Sequence, residues 1–222
     1  MPEILAHLQL DHRNMRQLLR VLEEELQAYE TRGSADFDLM KQILEYTLHY
    51  PNLVHHPREE ALFRRLRERD PASRTMVGDL TKEHEELARL THRFAAALHN
   101  VAHDVELPRA LFGNLAEEYV ARSRQHMETE EQKFFPRLIT VFTDEDWADL
   151  DGLAARGYDP LFGTSIEKYY KALHQRILNA VVSFCMTGGM KESPPSRVTR
   201  SQTSAGTGIS RTQAAWTKRA RR

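Results

Sequence analysis

Histidines and glutamates recur in this 222-residue chain at spacings that suit metal coordination. In "HHPREEALF" and in "HMETEEQKFF" a histidine is followed four residues later by a glutamate, His56 with Glu60 and His126 with Glu130. On an α-helix such a pair shares one face, about 6 Å apart along the axis, so both side chains can address one centre. Two more histidines, His12 in "LDHRNM" and His84 in "KEHEEL", interrupt otherwise apolar helical stripes. A lone histidine on such a stripe is more often a hydrogen-bonded core residue than a ligand. One on each of four successive segments, two of them with a glutamate one turn on, is a pattern that core filling has no reason to produce. Left unpaired, six buried polar groups would each cost on the order of 1 to 3 kcal/mol. A metal removes that objection, and imidazole with carboxylate suits iron, manganese or zinc.

The elements that must position these residues follow from apolar periodicity. Leu5, Leu8, His12, Met15, Leu19, Leu22 and Leu26 line a first helix that stops near "TRGSAD". A second is expected from Phe37 to Arg69, with Leu39, Ile43, Tyr46, Tyr50, Leu53, His56, Glu60 and Phe63 inward. A third carries Val77, Leu80, His84, Leu87, Thr91, Phe94, Leu98 and Val101. A fourth, opened by "ELPRALF", carries Leu111, Leu115, Tyr119, His126, Glu130, Phe134 and Leu138. The prediction is an all-α fold, an up-down-up-down four-helix bundle over residues 1–142. A short helical extension over residues 143–186 packs on it, built from "TDEDWADLDGLAARG" and "SIEKYYKALHQRILNAVVSF".

Helical phase also weighs each ligand against its neighbour. Pro57 lacks an N–H and loosens the backbone at Leu53, bending the second helix beside the site. His55 and Glu59 lie about 100° from His56 and Glu60 and read as solvated or supporting residues, with exchange for their neighbours left open. Glu130 is about 40° from His126, whereas Glu131 is about 140° away and needs a π-bulge to turn inward.

The motifs "LDHRNM", "HHPREEALF", "KEHEEL" and "HMETEEQKFFPRL", in that order, resemble the hemerythrin-like (HHE cation-binding) family over about residues 1 to 142. The resemblance implies a four-helix bundle around a non-haem di-iron centre, two iron ions bridged by carboxylates and oxygen. By position it assigns His12, His56, Glu60, His84, His126 and Glu130 as ligands. The chain departs from the oxygen carriers of that family at Ala88, where they place a second histidine four residues after the one on the third helix. That leaves four histidines and an open position, which favours ligand binding and chemistry over oxygen storage. His49, two turns before His56, is the candidate to fill it, against a reading as a surface histidine near Pro51. His7, His92, His99, His103 and His174 lie off the stripes, and Tyr46, Tyr50 and Tyr119 read as core.

Other chemistries fit less well. No histidine has an acid three residues before it, so the Glu-x-x-His signature of ferritin-like bundles is absent. "HEELA" fails as a zinc-protease motif because Ala88 stands where the second histidine belongs. There is no phosphate loop and no nucleophile elbow. A single cysteine, Cys185, cannot form an internal disulfide. With no export signal and no apolar run long enough to span a bilayer, a cytoplasmic protein without membrane insertion is expected.

The formal charge of −1 hides an asymmetry. Residues 187–222 carry eight Lys/Arg and one Glu, leaving 23 Lys/Arg against 31 Asp/Glu over residues 1–186. The Ser-, Thr-, Gly- and Pro-rich tail has little to bury and is expected to be disordered, with a boundary near Gly188. The leading function is a soluble di-iron protein that binds oxygen, nitric oxide or peroxide, for sensing, detoxification or iron handling. Two alternatives stand beside it. One is a metal-free helical interaction module. The other is a sensor bundle whose basic tail meets nucleic acid or another anionic partner, although a solubilising role accounts for the tail more simply.

Overall fold

The computed structural model describes residues 1–103, 105, 107–152 and 159–186, and every regular element among them is helical. Helix α1 spans Glu3–Arg32 and ends at Gly33, whose φ of 73° is left-handed and whose N–H returns to the Tyr29 carbonyl. The Asp36 carboxylate accepts the Leu39 N–H and opens α2, Phe37–Tyr50. A π turn, Pro51–His55, then leads directly into α3, His56–Arg69. After a 3-10 turn comes α4, Arg74–Ala102. The last long run is α5, Arg109–Thr129, a second π turn, Glu130–Phe134, and α6, Phe135–Val141.

α1 packs on α2 and α5, and α4 packs on the same two, so the four runs close a ring. Their buried faces form two apolar clusters. One contains Leu18, Leu22, Ile43, Val54, Leu90, Phe94 and Met127, and the other Leu5, Leu8, Leu62, Phe63, Leu80 and Phe134. Each fully buried side chain of this kind contributes about 1.5 to 3 kcal/mol. On every run the seam passes from one cluster to the other across a short polar interval. His12 lies between Leu8 and Leu18, residues 55–59 between Val54 and Leu62, His84 between Leu80 and Leu90, and Glu130 between Met127 and Phe134. The apolar halves thus hold a polar band at one level of the bundle.

The two π turns share a cause that is visible in the sequence. Each ends two residues before a proline, Pro57 or Pro136, which occupies the first turn of the helix that follows. Proline offers no N–H to the carbonyl four residues back and its ring crowds that carbonyl, so the ladder there widens from α to π. The consequence at residues 51–55 is a change of phase. Leu53, expected inward, is 74% exposed, whereas Val54, His55, Arg58, Glu59, Leu62 and Phe63 are buried or nearly so.

Two further helices dock outside the ring. α7, Asp144–Asp151, touches α1 and α3. Its Thr143 and Asp146 form a reciprocal cap, and the buried Asp146 also accepts from Arg65 and, at 2.8 Å, from Arg69 of α3. α8, Lys171–Met186, lies against α1 and α2 and sends Leu173 and Ile177 into the larger apolar cluster. Residues Met1–Gly188 form one compact unit. The expectation of a disordered basic tail over residues 187–222 lies outside the described residues. Among the described residues no helix is long and apolar enough to cross a membrane.

Candidate metal centre

Seven side chains converge in the polar band: His12 from α1, His55, His56 and Glu59 from the π turn and α3, His84 from α4, His126 from α5 and Glu130 at the second π turn. His12, Glu59 and Glu130 are fully buried. Their donor atoms fall into overlapping groups, each within 4.8 Å: His12, His55, Glu59 and Glu130; His56, Glu59 and His84; and His84, His126 and Glu130. Both glutamates belong to two groups.

The carboxylates face two ways. Glu59 places Oε1 3.2 Å from His55 Nε2 and Oε2 3.3 Å from His84 Nε2. Glu130 places Oε2 3.2 Å from His12 Nε2 and Oε1 3.3 Å from His126 Nε2. None of these four oxygens has a hydrogen-bond partner, and neither do His12 Nε2 and His84 Nε2, although all six atoms are buried. Buried polar atoms without partners cost about 1 to 3 kcal/mol each, more when charged. Cations bound among them would satisfy these atoms, so the donor set fits a metal.

The outward nitrogens are held by a ring of acids. His12 Nδ1 is 3.0 Å from Glu131 Oε1, His55 Nδ1 is 3.1 Å from Asp11 Oδ2, and His126 Nδ1 is 2.8 Å from Glu83 Oε2. Each bond keeps a proton on Nδ1 and turns Nε2 to the centre, so that release of the Nε2 proton leaves its lone pair for a metal, the usual support of a metal-binding imidazole. Arg16 in turn holds Glu131 with two hydrogen bonds of 2.9 and 2.7 Å.

Protonation follows from these charges. Burial alone would lower His55, but Glu59 and Asp11 raise it to about 10. Burial likewise opposes His12 and His126, and the surrounding carboxylates raise both. Burial also works against an ionised Glu130, yet His126 and His12 hold it well below the usual carboxylate range. Glu131 falls to about 2, chiefly through its bond to His12. His56 moves the other way. Burial and the neighbouring His84 and His55 lower it to about 2, and its ring stacks on His84 at 4.0 Å. It is a neutral imidazole beside the carboxylates.

Of the six residues expected as ligands, the structure brings together five: His12, His56, His84, His126 and Glu130. Glu60 stands outside. Its side chain is 49% exposed and paired with Arg67 at 3.1 Å, and Glu59 takes the inward place because the π turn shifts the phase of α3. His55 enters with it, so five histidines converge where four were expected. The extra imidazole comes from the His55–His56 doublet. His49 does not supply it, being exposed with Nδ1 2.6 Å from the Glu45 carbonyl. Ala88 lines a cavity of about 80 Å³ beside the imidazoles, with Met15, Leu19, Leu87, Tyr119 and Met127. Asp11 carries no signal in the sequence, because an acid next to a ligand reads as a surface residue.

The family comparison agrees with this geometry. Residues 3–138 match the model of the hemerythrin HHE cation binding domain. A search of curated proteins gives no match.

Proposed function

The chain belongs to the hemerythrin HHE cation-binding family, and we propose that it is a non-haem di-iron protein that binds oxygen, nitric oxide or peroxide. The observation that carries this reading is the two-way carboxylates. Glu59 and Glu130 each turn one oxygen to the His12–His55 pair and the other to the His84–His126 pair. Shared carboxylates between two imidazole groups suit two cations held close together, with His56 joining His84 on the second side. His12 and His55 would hold one ion, and His56, His84 and His126 the other, with Glu59 and Glu130 shared between them.

Iron bound there would supply reversible ligation and electron exchange. The protein's own residues do the rest. Asp11, Glu131 and Glu83 fix the imidazole tautomers. The apolar halves above and below exclude water and keep the carboxylates' charge strong. The cavity beside Ala88 admits a small guest, being smaller than the roughly 150 Å³ that accepts benzene. Tyr119, whose hydroxyl donates to Thr47 Oγ1 at 3.1 Å, closes the cavity with hydroxyl groups rather than an ionisable acid. Sensing, detoxification and iron handling all fit such a site.

The test is metal analysis of purified protein with spectra before and after azide, nitric oxide and peroxide. Two irons per chain and ligand-dependent charge-transfer bands are expected. Ala88→Leu fills the cavity without removing a ligand, so iron content should hold while the spectral response to azide is lost. Protein that takes up no iron, or an azide response unchanged in Ala88→Leu, contradicts the reading.

A further inference from the structure

A file of four tyrosines leads from the centre to the surface. Asp11 Oδ2 meets His55 Nδ1, and its Oδ1 accepts the Tyr50 hydroxyl at 2.9 Å. The Tyr50 ring lies parallel to Tyr46, with centroids 5.1 Å apart at an angle of 11°. Tyr46 meets Tyr170 edge-on at 6.0 Å, and Tyr170 meets Tyr169 at 5.0 Å. Tyr46, Tyr50 and Tyr170 are buried and Tyr169 is 47% exposed.

Packing alone does not account for this file. Phenylalanine would fill the same volume with no polar atom to satisfy, whereas each buried phenol hydroxyl must be given a partner. Tyr50 donates to Asp11, Tyr46 to Asp159 at 3.1 Å, and Tyr169 to Glu45. Three of the four hydroxyls thus have a carboxylate, the acceptor that a phenol needs when it gives up an electron, because the oxidised phenol is strongly acidic. Burial, with Asp159 and Asp11 nearby, raises the ionisation of Tyr46 and Tyr50 far above the ordinary phenol value, so both keep their protons until oxidised.

We propose that Tyr50, Tyr46, Tyr170 and Tyr169 form a one-electron relay that passes oxidising equivalents from the peroxide-oxidised metal centre to a reductant at the surface. The proposal rests on the di-iron reading above. Tyr50 gives an electron to the oxidised centre as its O–H bond breaks and the proton moves to Asp11. Tyr46 then gives an electron to Tyr50, whose O–H bond re-forms with the proton from Asp11, while Asp159 holds the Tyr46 proton. Tyr169 then gives an electron across the intervening Tyr170 ring to Tyr46, which recovers its proton from Asp159, while Glu45 takes the Tyr169 proton and Tyr170 itself is not oxidised. The net change is one electron delivered to the centre and one proton moved from Tyr169 to Glu45. A one-electron reductant of the ascorbate class refills Tyr169, and Glu45 returns the proton. Hydrogen peroxide is the oxidant. Its reduction to two waters consumes two electrons and two protons, so the relay fires twice per peroxide.

The experiment uses iron-loaded full-length protein mixed with hydrogen peroxide. Freeze-quenched samples are read by electron paramagnetic resonance, and radicals are located by nitroso spin trapping with peptide mass spectrometry. The expected result is a tyrosyl radical with the trap on Tyr169, quenched by ascorbate. Tyr50→Phe and Tyr46→Phe, at wild-type iron content, should lose the Tyr169 adduct. Tyr46 touches no ligand, so that variant keeps the test decisive if Tyr50→Phe loads less iron. In Tyr169→Phe the radical should persist on an inner ring. A Tyr169 adduct retained in Tyr46→Phe, or no tyrosyl radical in iron-loaded wild type, overturns the relay alone. Protein that binds no iron overturns the di-iron reading, and the relay with it.

Discussion

Glu59 and Glu60 are adjacent and chemically identical, yet one is fully buried between His55 and His84 and the other is paired with Arg67 at the surface. Changing Glu59 to Gln should therefore strip iron sharply, and changing Glu60 to Gln should leave it near the wild-type value, both read by metal analysis. Equal loss in the two variants would contradict the phase of α3. Glu131 acts one step further out, through the imidazole of His12. Removing such a supporting carboxylate costs about 10- to 100-fold in metal affinity. Glu131→Gln should show a loss of that size in a chelator competition, and an unchanged affinity would mean that Arg16 and burial suffice to orient His12.

Among the helices, α7 is fixed by Leu150 in the apolar cluster and by one buried acid, Asp146. Asp146 caps its own helix through Thr143 and accepts from Arg65 and Arg69 of α3. Burial alone would raise its carboxyl, but the Thr143 backbone N–H, Arg69 and Arg65 hold it below the ordinary aspartate value. A carboxylate with a lowered folded-state value stabilises above its unfolded value, near pH 3.8, and that contribution is lost as the pH falls through the folded value. Thermal melts of the wild type should therefore drop steeply below about pH 4. Asp146→Asn should flatten that fall and cost about 1 to 2 kcal/mol at neutral pH, the usual worth of a helix cap. An identical acid limb in the variant would place the titrating group elsewhere.

For the molecule as a whole, the centre concentrates strain that a metal relieves. Six buried atoms without hydrogen bonds lie between two well-packed apolar halves, and the surrounding acids raise the proton affinity of three imidazoles there. Metal uptake should displace protons from His12, His55 and His126, measurable as acid released in weak buffer. Because the unfolded chain cannot assemble the site, saturation should stabilise the fold by about 2.7 kcal/mol at a hundredfold excess over the dissociation constant. Dialysis against a chelator should lower the melting temperature and iron should restore it. A melting temperature indifferent to both would mean that the cluster is satisfied without a cation.

What the sequence determined by itself is the set of four helical runs and the band of histidines across them, because apolar spacing and polar interruptions are local properties of each stripe. His12, His84, His126 and Glu130 fall where a helix of constant pitch puts them. Constant pitch extended from Tyr50 through Pro57 still points His56 to the centre, but it selects Glu60 over Glu59 and leaves His55 out. The repeated element, a proline two residues beyond each π turn, is present in "HHPREE" and "FFPRL", but the sequence alone reads Pro57 as a bend and gives Pro136 no role. Whether a proline kinks, ends or widens a helix depends on what the following face must bury, and Val54, Leu62 and Phe63 settle it by joining opposite apolar clusters. The second π turn left Glu130 inward and still let Glu131 reach His12, which constant pitch forbids. Asp11 and the tyrosines beyond it show the same limit. Their roles arise from contacts between residues 39 to 124 positions apart, and only tertiary packing brings such groups together.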